Sequence, residues 1–181
     1  MDRLQRIRCL TAGAIVLALA CGSKESDATP TDQYANLLAF DTARVRLISG
    51  RDTSTLTVEL AETPDQHAMG LMERRLLPAE AGMLFLYPNV QPESSAFWMF
   101  RTRIPLDIAF IDSLGVIRTI ETMAPCPSPL AQGCPDYPAG ARYLAAIEVN
   151  AGYFARKRIR VGDRVLVQDT TTRHRVSRPP T

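Results

Sequence analysis

From residue 54 to 61 the chain alternates Leu56, Val58 and Leu60 with Thr55, Thr57 and Glu59, the period of a strand with one buried face. Residues 44–49 precede it across Gly50-Arg51-Asp52, so the two segments read as a hairpin. Further strands are expected at 83–87, 96–100, 106–112, 116–121, 143–149 and 164–167. Asp112-Ser113-Leu114-Gly115 makes a tight turn between two of them, and Gly162-Asp163 turns the chain into the last. The clearest helix begins at Thr63-Pro64-Asp65-Gln66, where a capping threonine, a first-turn proline and a glutamine three positions on form a capping box. A second short helix is expected over 151–158, capped by Asn150. Many short strands with one or two helices point to a mainly β single domain, a sandwich or barrel.

The segments outside that pattern differ in kind. Arg3, Arg6 and Arg8 precede an uncharged run from Cys9 to Ala20, and Leu17-Ala18-Leu19-Ala20-Cys21 closes it with small residues before a cysteine. This reads as a lipoprotein signal peptide over residues 1–20, resembling the bacterial lipobox, with Cys21 the lipidated residue. A transmembrane anchor is the weaker alternative, because a run of about 12 residues falls short of the ~20 that a bilayer needs. Residues 21–43, rich in Ser, Thr, Asp and Pro at their start, read as a flexible tether, 44–168 as the folded domain, and 169–181 as a disordered tail. The expected location is the bacterial cell envelope, with a membrane as partner through the lipid. Gly22 after the cysteine resembles the pattern of lipoproteins sorted to an outer membrane in a diderm.

Length and charge narrow the classes further. A chain of 181 residues sets a prior of one domain, and 13 prolines argue against a helical bundle. The formal charge is +2, and cleavage of the signal takes three arginines and one aspartate, leaving a neutral chain. Nucleic acid is therefore not an expected partner.

Cys126 and Cys134 are the two cysteines of the domain, in a loop rich in proline and glycine. Outside the cytoplasm they read most simply as a disulfide. Two thiols with no histidine nearby make a poor zinc site, and the spacing is too wide for a Cys-x-x-Cys redox motif. Asp107 is the one polar residue in an apolar run over 104–111. By strand parity Leu106, Ile108 and Phe110 share one face, and Asp107 and Ala109 the other. An acid among apolar neighbours needs its carboxylate satisfied, by Arg101 or Arg103, by backbone N–H groups at a turn, or by a ligand. Trp98, the only tryptophan, lies just before Arg101-Thr102-Arg103. It is either a core residue or a stacking platform, with the arginines gripping an anion. Met69, Met72 and His67 could in principle hold cuprous copper, but methionine is a common filler of irregular cores, so no metal or other cofactor is assigned.

Several motifs occur together in an order that resembles the bacterial and archaeal domain-of-unknown-function family 192. They are Glu62-Thr63-Pro64, Met69-Gly70-Leu71-Met72, Gly82-Met83-Leu84-Phe85, Phe97-Trp98-Met99, the stretch from Thr102 to Ile111, and Glu148-Val149-Asn150-Ala151-Gly152. The resemblance implies a mostly antiparallel β-sandwich of jelly-roll-like shape. The cysteine pair followed by Pro135-Asp136-Tyr137-Pro138 resembles the loop of exported members. No activity comes with the resemblance. It implies that any shared site draws on Gly70, Trp98, Met99, Thr102 and Asp107. The family's usual Trp-Met-Lys-Asn-Thr is replaced here by Trp98-Met99-Phe100-Arg101-Thr102, so Arg101 or Arg103 stands in for the cation.

Three kinds of function fit these residues. One is an envelope-tethered module binding a small molecule or glycan in a groove near Trp98, Thr102 and Asp107. Another is a structural or accessory protein that contacts an unidentified protein partner. The third is a hydrolase using Asp107 with Glu59, Glu121 or Glu148 as acid and base. There is no Gly-x-Ser-x-Gly elbow, His-Glu-x-x-His helix or phosphate-binding glycine loop, and no catalytic residue is assigned.

Overall fold

The computed structural model describes residues 39–171. The alternating run is strand β2 (Asp52–Ala61), paired antiparallel with β1 (Asp41–Ser49) from Asp41 opposite Leu60 to Ser49 opposite Asp52. Helix α1 (Pro64–Met69) starts at the expected capping box: the Thr63 hydroxyl accepts from the Gln66 N–H at 3.3 Å, and the Gln66 side-chain oxygen accepts from the Thr63 N–H at 3.1 Å. The crossover through α1 brings β3 (Ala81–Gln91) in parallel with β2, and the other pairings of the main sheet are antiparallel. Then follow β4 (Ala96–Trp98), β5 (Leu106–Ile111), β6 (Ile117–Met123), β7 (Asp136–Pro138), β8 (Tyr143–Asn150), α2 (Tyr153–Arg156) and β9 (Arg164–Thr171).

Seven strands form one sheet in the order β6-β5-β8-β3-β2-β1-β9, while β4 and β7 make a separate two-stranded ribbon. The main sheet curls until its outer strands touch. Val116 bridges Arg164, the Val165 N–H donates to the Gly115 carbonyl at 2.8 Å, and the Ile117 N–H donates to the Asp163 carbonyl at 2.9 Å. The mainly β single domain with short helices is thus observed, its two layers supplied by one sheet curled on itself.

Two cores lie on the two faces of this sheet. The inner one takes alternate residues of all seven strands, Val45, Val58, Leu84, Ala109, Ile117, Ile147 and Val165 among them, and is completed by Tyr153 and Phe154 of α2. The outer one lies on β3, β8 and β5, where Met83, Phe85, Ile108, Phe110 and Ala146 are covered by Leu71, Met99, Cys126 and Ala139 from the connecting segments. Strand β5 is therefore buried at every position.

Two expectations fail locally. The second helix spans only Tyr153–Arg156 and is preceded by Gly152 at φ 75°. Asn150 does not cap it, because its amide donates instead to the carbonyls of Leu77 at 3.0 Å and Pro78 at 3.1 Å. The strand expected over 96–100 stops at Trp98, and its partner β7 had no alternation to announce it.

Candidate functional site

Helix α1 ends because Gly70 takes φ 47° and ψ −134°, a conformation costly for side-chain-bearing residues. A Cβ there would also meet the Phe85 ring at 3.4 Å. The turn opens a narrow cleft on the outer face of the sheet, with about 290 Å³ of empty space counted out to solvent. One wall is the end of α1 with His67, Gly70 and Met72. The opposite wall is the segment 97–102, which contributes Phe97, Trp98, Phe100 and Thr102. Phe85 of β3 and Glu148 of β8 come from the sheet beneath.

The second wall is held from behind. Cys126 and Cys134 form a disulfide with Cα atoms 5.8 Å apart. The Cys126 N–H donates to the Thr102 carbonyl at 3.0 Å, and the Thr102 N–H donates to the Met99 carbonyl at 2.9 Å. Arg101 sits at φ 55°. Its guanidinium turns out to Glu73 at 2.8 Å, and Arg103 grips the second oxygen of the same carboxylate. Burial acts to raise the Glu73 pKa, but the hydrogen bonds and charges of the two arginines outweigh it and hold the carboxyl below its ordinary value.

Glu148 is the unusual group. Only 4% exposed, it forms no hydrogen bond or ion pair with any described residue, and no buried polar atom is left without a partner, so its carboxyl oxygens face the cleft. Burial pushes its pKa up to about 8. Across from it, His67 Nε2 lies 2.9 Å from the Ala61 carbonyl and 3.1 Å from that of Leu86. Two acceptors at one nitrogen require the proton on Nε2. The imidazole packs on Tyr87 with ring centroids 4.5 Å apart.

The residues expected from sequence fall into three groups. Gly70, Trp98 and Thr102 meet in the cleft, with Trp98 45% exposed at its rim and its ring 5.4 Å from that of Phe100. Met99 packs in the outer core beneath them. Arg101, Arg103 and Asp107 lie elsewhere. The arginines are engaged with Glu73, and Asp107 shares the inner face of β5 with Ala109 and Ile111, on the other side of the sheet from the cleft. Its carboxylate accepts from the Thr122 hydroxyl at 2.8 Å, so neither arginine satisfies it. The groove expected near Trp98, Thr102 and Asp107 thus resolves into two places.

The carboxylate pairs fare similarly. Asp107 and Glu148 stand on neighbouring strands but on opposite faces, with Glu148 in register with Ile108. Glu59 pairs with Arg74 at 2.6 Å, Glu121 is exposed, and among the described residues Glu148 is the only acid lining the cleft. Glu148 carried the signal that marked Asp107, a lone acid in an apolar run, here over 143–149. Its position above the outer core depends on the second layer, which no local pattern declares.

Two crystal structures resemble this fold. One is of a "putative transcription regulator" from Sinorhizobium meliloti 1021, 37% identical, with a TM-score of 0.62 over 72% of this chain and 96% of that one. The other is of a protein of unknown function from Novosphingobium aromaticivorans DSM 12444, 33% identical, with a TM-score of 0.59 over 69% of this chain and 84% of that one. No curated protein matches. Residues 46–167, from β1 to β9, match the DUF192 family, described as uncharacterized ACR, and this chain belongs to that family.

Proposed function

We propose that this protein is an envelope-tethered module that binds a small ligand in the cleft between α1 and the segment 97–102. One observation carries the reading: a buried glutamate lines the cleft with its carboxyl unpartnered by any described residue. Leaving such a group buried and unpaired is costly, and a ligand that met it would recover that cost. Trp98 at the rim offers a stacking face. A paired-carboxylate hydrolase finds less support, since no second acid among the described residues lines the cleft.

Tethering rests on the sequence of residues 1–43. Cys21, the signal peptide and most of the tether lie outside the described residues, as does most of the tail. Expression with radiolabelled palmitate tests the anchor: label in the wild type, lost in Cys21→Ser together with sedimentation in the membrane fraction, is the expected result. A soluble, unlabelled wild-type protein would remove the envelope part of the proposal. For binding, the secreted Cys21→Ser chain is screened by thermal shift against envelope glycans and small metabolites. The expected hit raises the melting temperature in the parent and not after Trp98→Ala. A hit indifferent to Trp98, or none at all, counts against the cleft.

A further inference from the structure

The lining of the cleft is one-sided in its chemistry. Five aromatic rings contribute to it, from His67, Phe85, Phe97, Trp98 and Phe100, with Glu148 the single acid. No arginine or lysine among the described residues does. Arg101, in the middle of the aromatic wall, is turned outward onto Glu73, and Arg103 joins it there. Aromatic faces carry negative potential and attract cations, most strongly where water is excluded. An anion would meet both those faces and the acid. A sugar needs several hydrogen-bonding groups, and the side chains here offer few besides Thr102, Glu148 and His67, whose Nε2 is already committed to two carbonyls. The cleft is narrow and open to solvent, so a compact head group would seat at its mouth and an extended molecule would not be enclosed.

We infer that the cleft takes an organic ammonium ion, an alkylated or methylated amine head group, with Glu148 as its counter-ion and the aromatic side chains as its walls. This rests on the small-ligand reading above and names the ligand class for the same site. The empty cleft favours the protonated acid, because no cation among the described residues compensates Glu148 there. Entry of an ammonium ion therefore ionises Glu148, and one proton leaves to solvent for each ligand bound below the pKa of the empty site.

The groups facing Glu148 are few. Helix α1 presents His67, β3 presents Met83 and Tyr87, β5 presents Ile108, and the 97–102 wall presents aromatic rings and Thr102. Glu148→Gln keeps the shape and removes the charge.

Calorimetric titration of the Cys21→Ser chain with choline, tetramethylammonium and 3,3-dimethylbutanol, the uncharged isostere of choline, tests this. Both cations are expected to bind and the isostere to bind at least about tenfold more weakly. Affinity for choline should fall about tenfold per pH unit from 8 down to 6, with proton release seen as a dependence of the heat on buffer ionisation. Glu148→Gln should retain its fold, lose at least about tenfold in affinity at pH 9, and lose the proton release. An isostere that binds as well as choline, with both weakened by Trp98→Ala, would overturn the ammonium assignment while leaving the binding cleft intact. Failure of the folded protein to bind either cation at millimolar concentration overturns it as well. An empty glycan and metabolite screen beside that failure would bring down the binding reading too.

Discussion

Glu148 and Asp107 are two acids buried in the same sheet with opposite supports. Asp107 has the Thr122 hydroxyl at 2.8 Å, whereas Glu148 has no such donor and its pKa rises from the ordinary glutamate value of 4.5 to about 8. Between those two pH values the folded protein binds a proton that the unfolded chain has lost, so stability falls as pH rises through the window and levels off above it. At ~1.4 kcal/mol per pKa unit the cost reaches a few kcal/mol at most. Melting curves from pH 5 to pH 8 should therefore show Glu148→Gln gaining several degrees on the wild type, and the curves running parallel would contradict the assignment. Glu73 and Glu80, whose pKa values are lowered, act in the opposite sense but equally in both proteins. For Asp107 the expectation reverses. Asp107→Ala removes the hydrogen bond from the Thr122 hydroxyl, which is exposed and can turn to water, and should cost ~0.5–1.5 kcal/mol in denaturant unfolding. Cleft affinity should be unchanged, because the residue faces the inner core; an affinity lost with the stability would place Asp107 at the ligand after all.

At the scale of elements, what the sequence declared was what is held locally. The hairpin of β1 and β2 rests on alternation and a two-residue connection, Gly50-Arg51, and α1 rests on a capping box whose partners are three residues apart. Elements fixed by distant partners stayed hidden. Strand β7 exists because Asp136, Tyr137 and Pro138 lie against Trp98, Phe97 and Ala96, and Asn150 leaves its helix for carbonyls more than seventy residues away. The cysteine loop belongs to this class, since its bridges to Phe100 and Thr102 make it the brace of the cleft wall. The Tyr137 hydroxyl adds to it by accepting from the Ala124 N–H at 3.0 Å. Replacing both cysteines by serine should cost ~2–3 kcal/mol for a loop this short. The larger consequence is expected in place rather than in amount: Trp98 fluorescence should shift to the red and cleft binding weaken, while hydrogen exchange in β1 and β2 stays as in the wild type. Exchange rising evenly across the sheet would show that the disulfide stabilises the whole fold and not the wall.

The whole molecule depends on two events, closure of the sheet and coverage of its outer face. Coverage leaves a trace in the sequence: β5 is an almost unbroken apolar run because both its faces are buried, whereas β2 alternates. Closure leaves almost none, because the edges of β6 and β9 meet around a turn glycine. Gly115 has φ 76°, its carbonyl accepts from the Val165 N–H at 2.8 Å, and a Cβ on it would lie 2.8 Å from the Val165 carbonyl oxygen. Gly115→Ala must therefore bear a left-handed backbone and push β9 away from the seam. Gly50→Ala is the natural control, since Gly50 has φ 58° with nothing within 4 Å of the added carbon. Both variants should lose ~1 kcal/mol to backbone conformation, and Gly115→Ala should lose more by the crowded seam. That excess should appear as faster amide exchange at Ile117 and Val165, next to the seam. Cleft affinity should hold in both variants, because the seam lies on strands that do not line the cleft. If Gly50→Ala and Gly115→Ala prove equally destabilised, with the amides at Ile117 and Val165 exchanging alike, the contact between β6 and β9 does not hold the sheet closed.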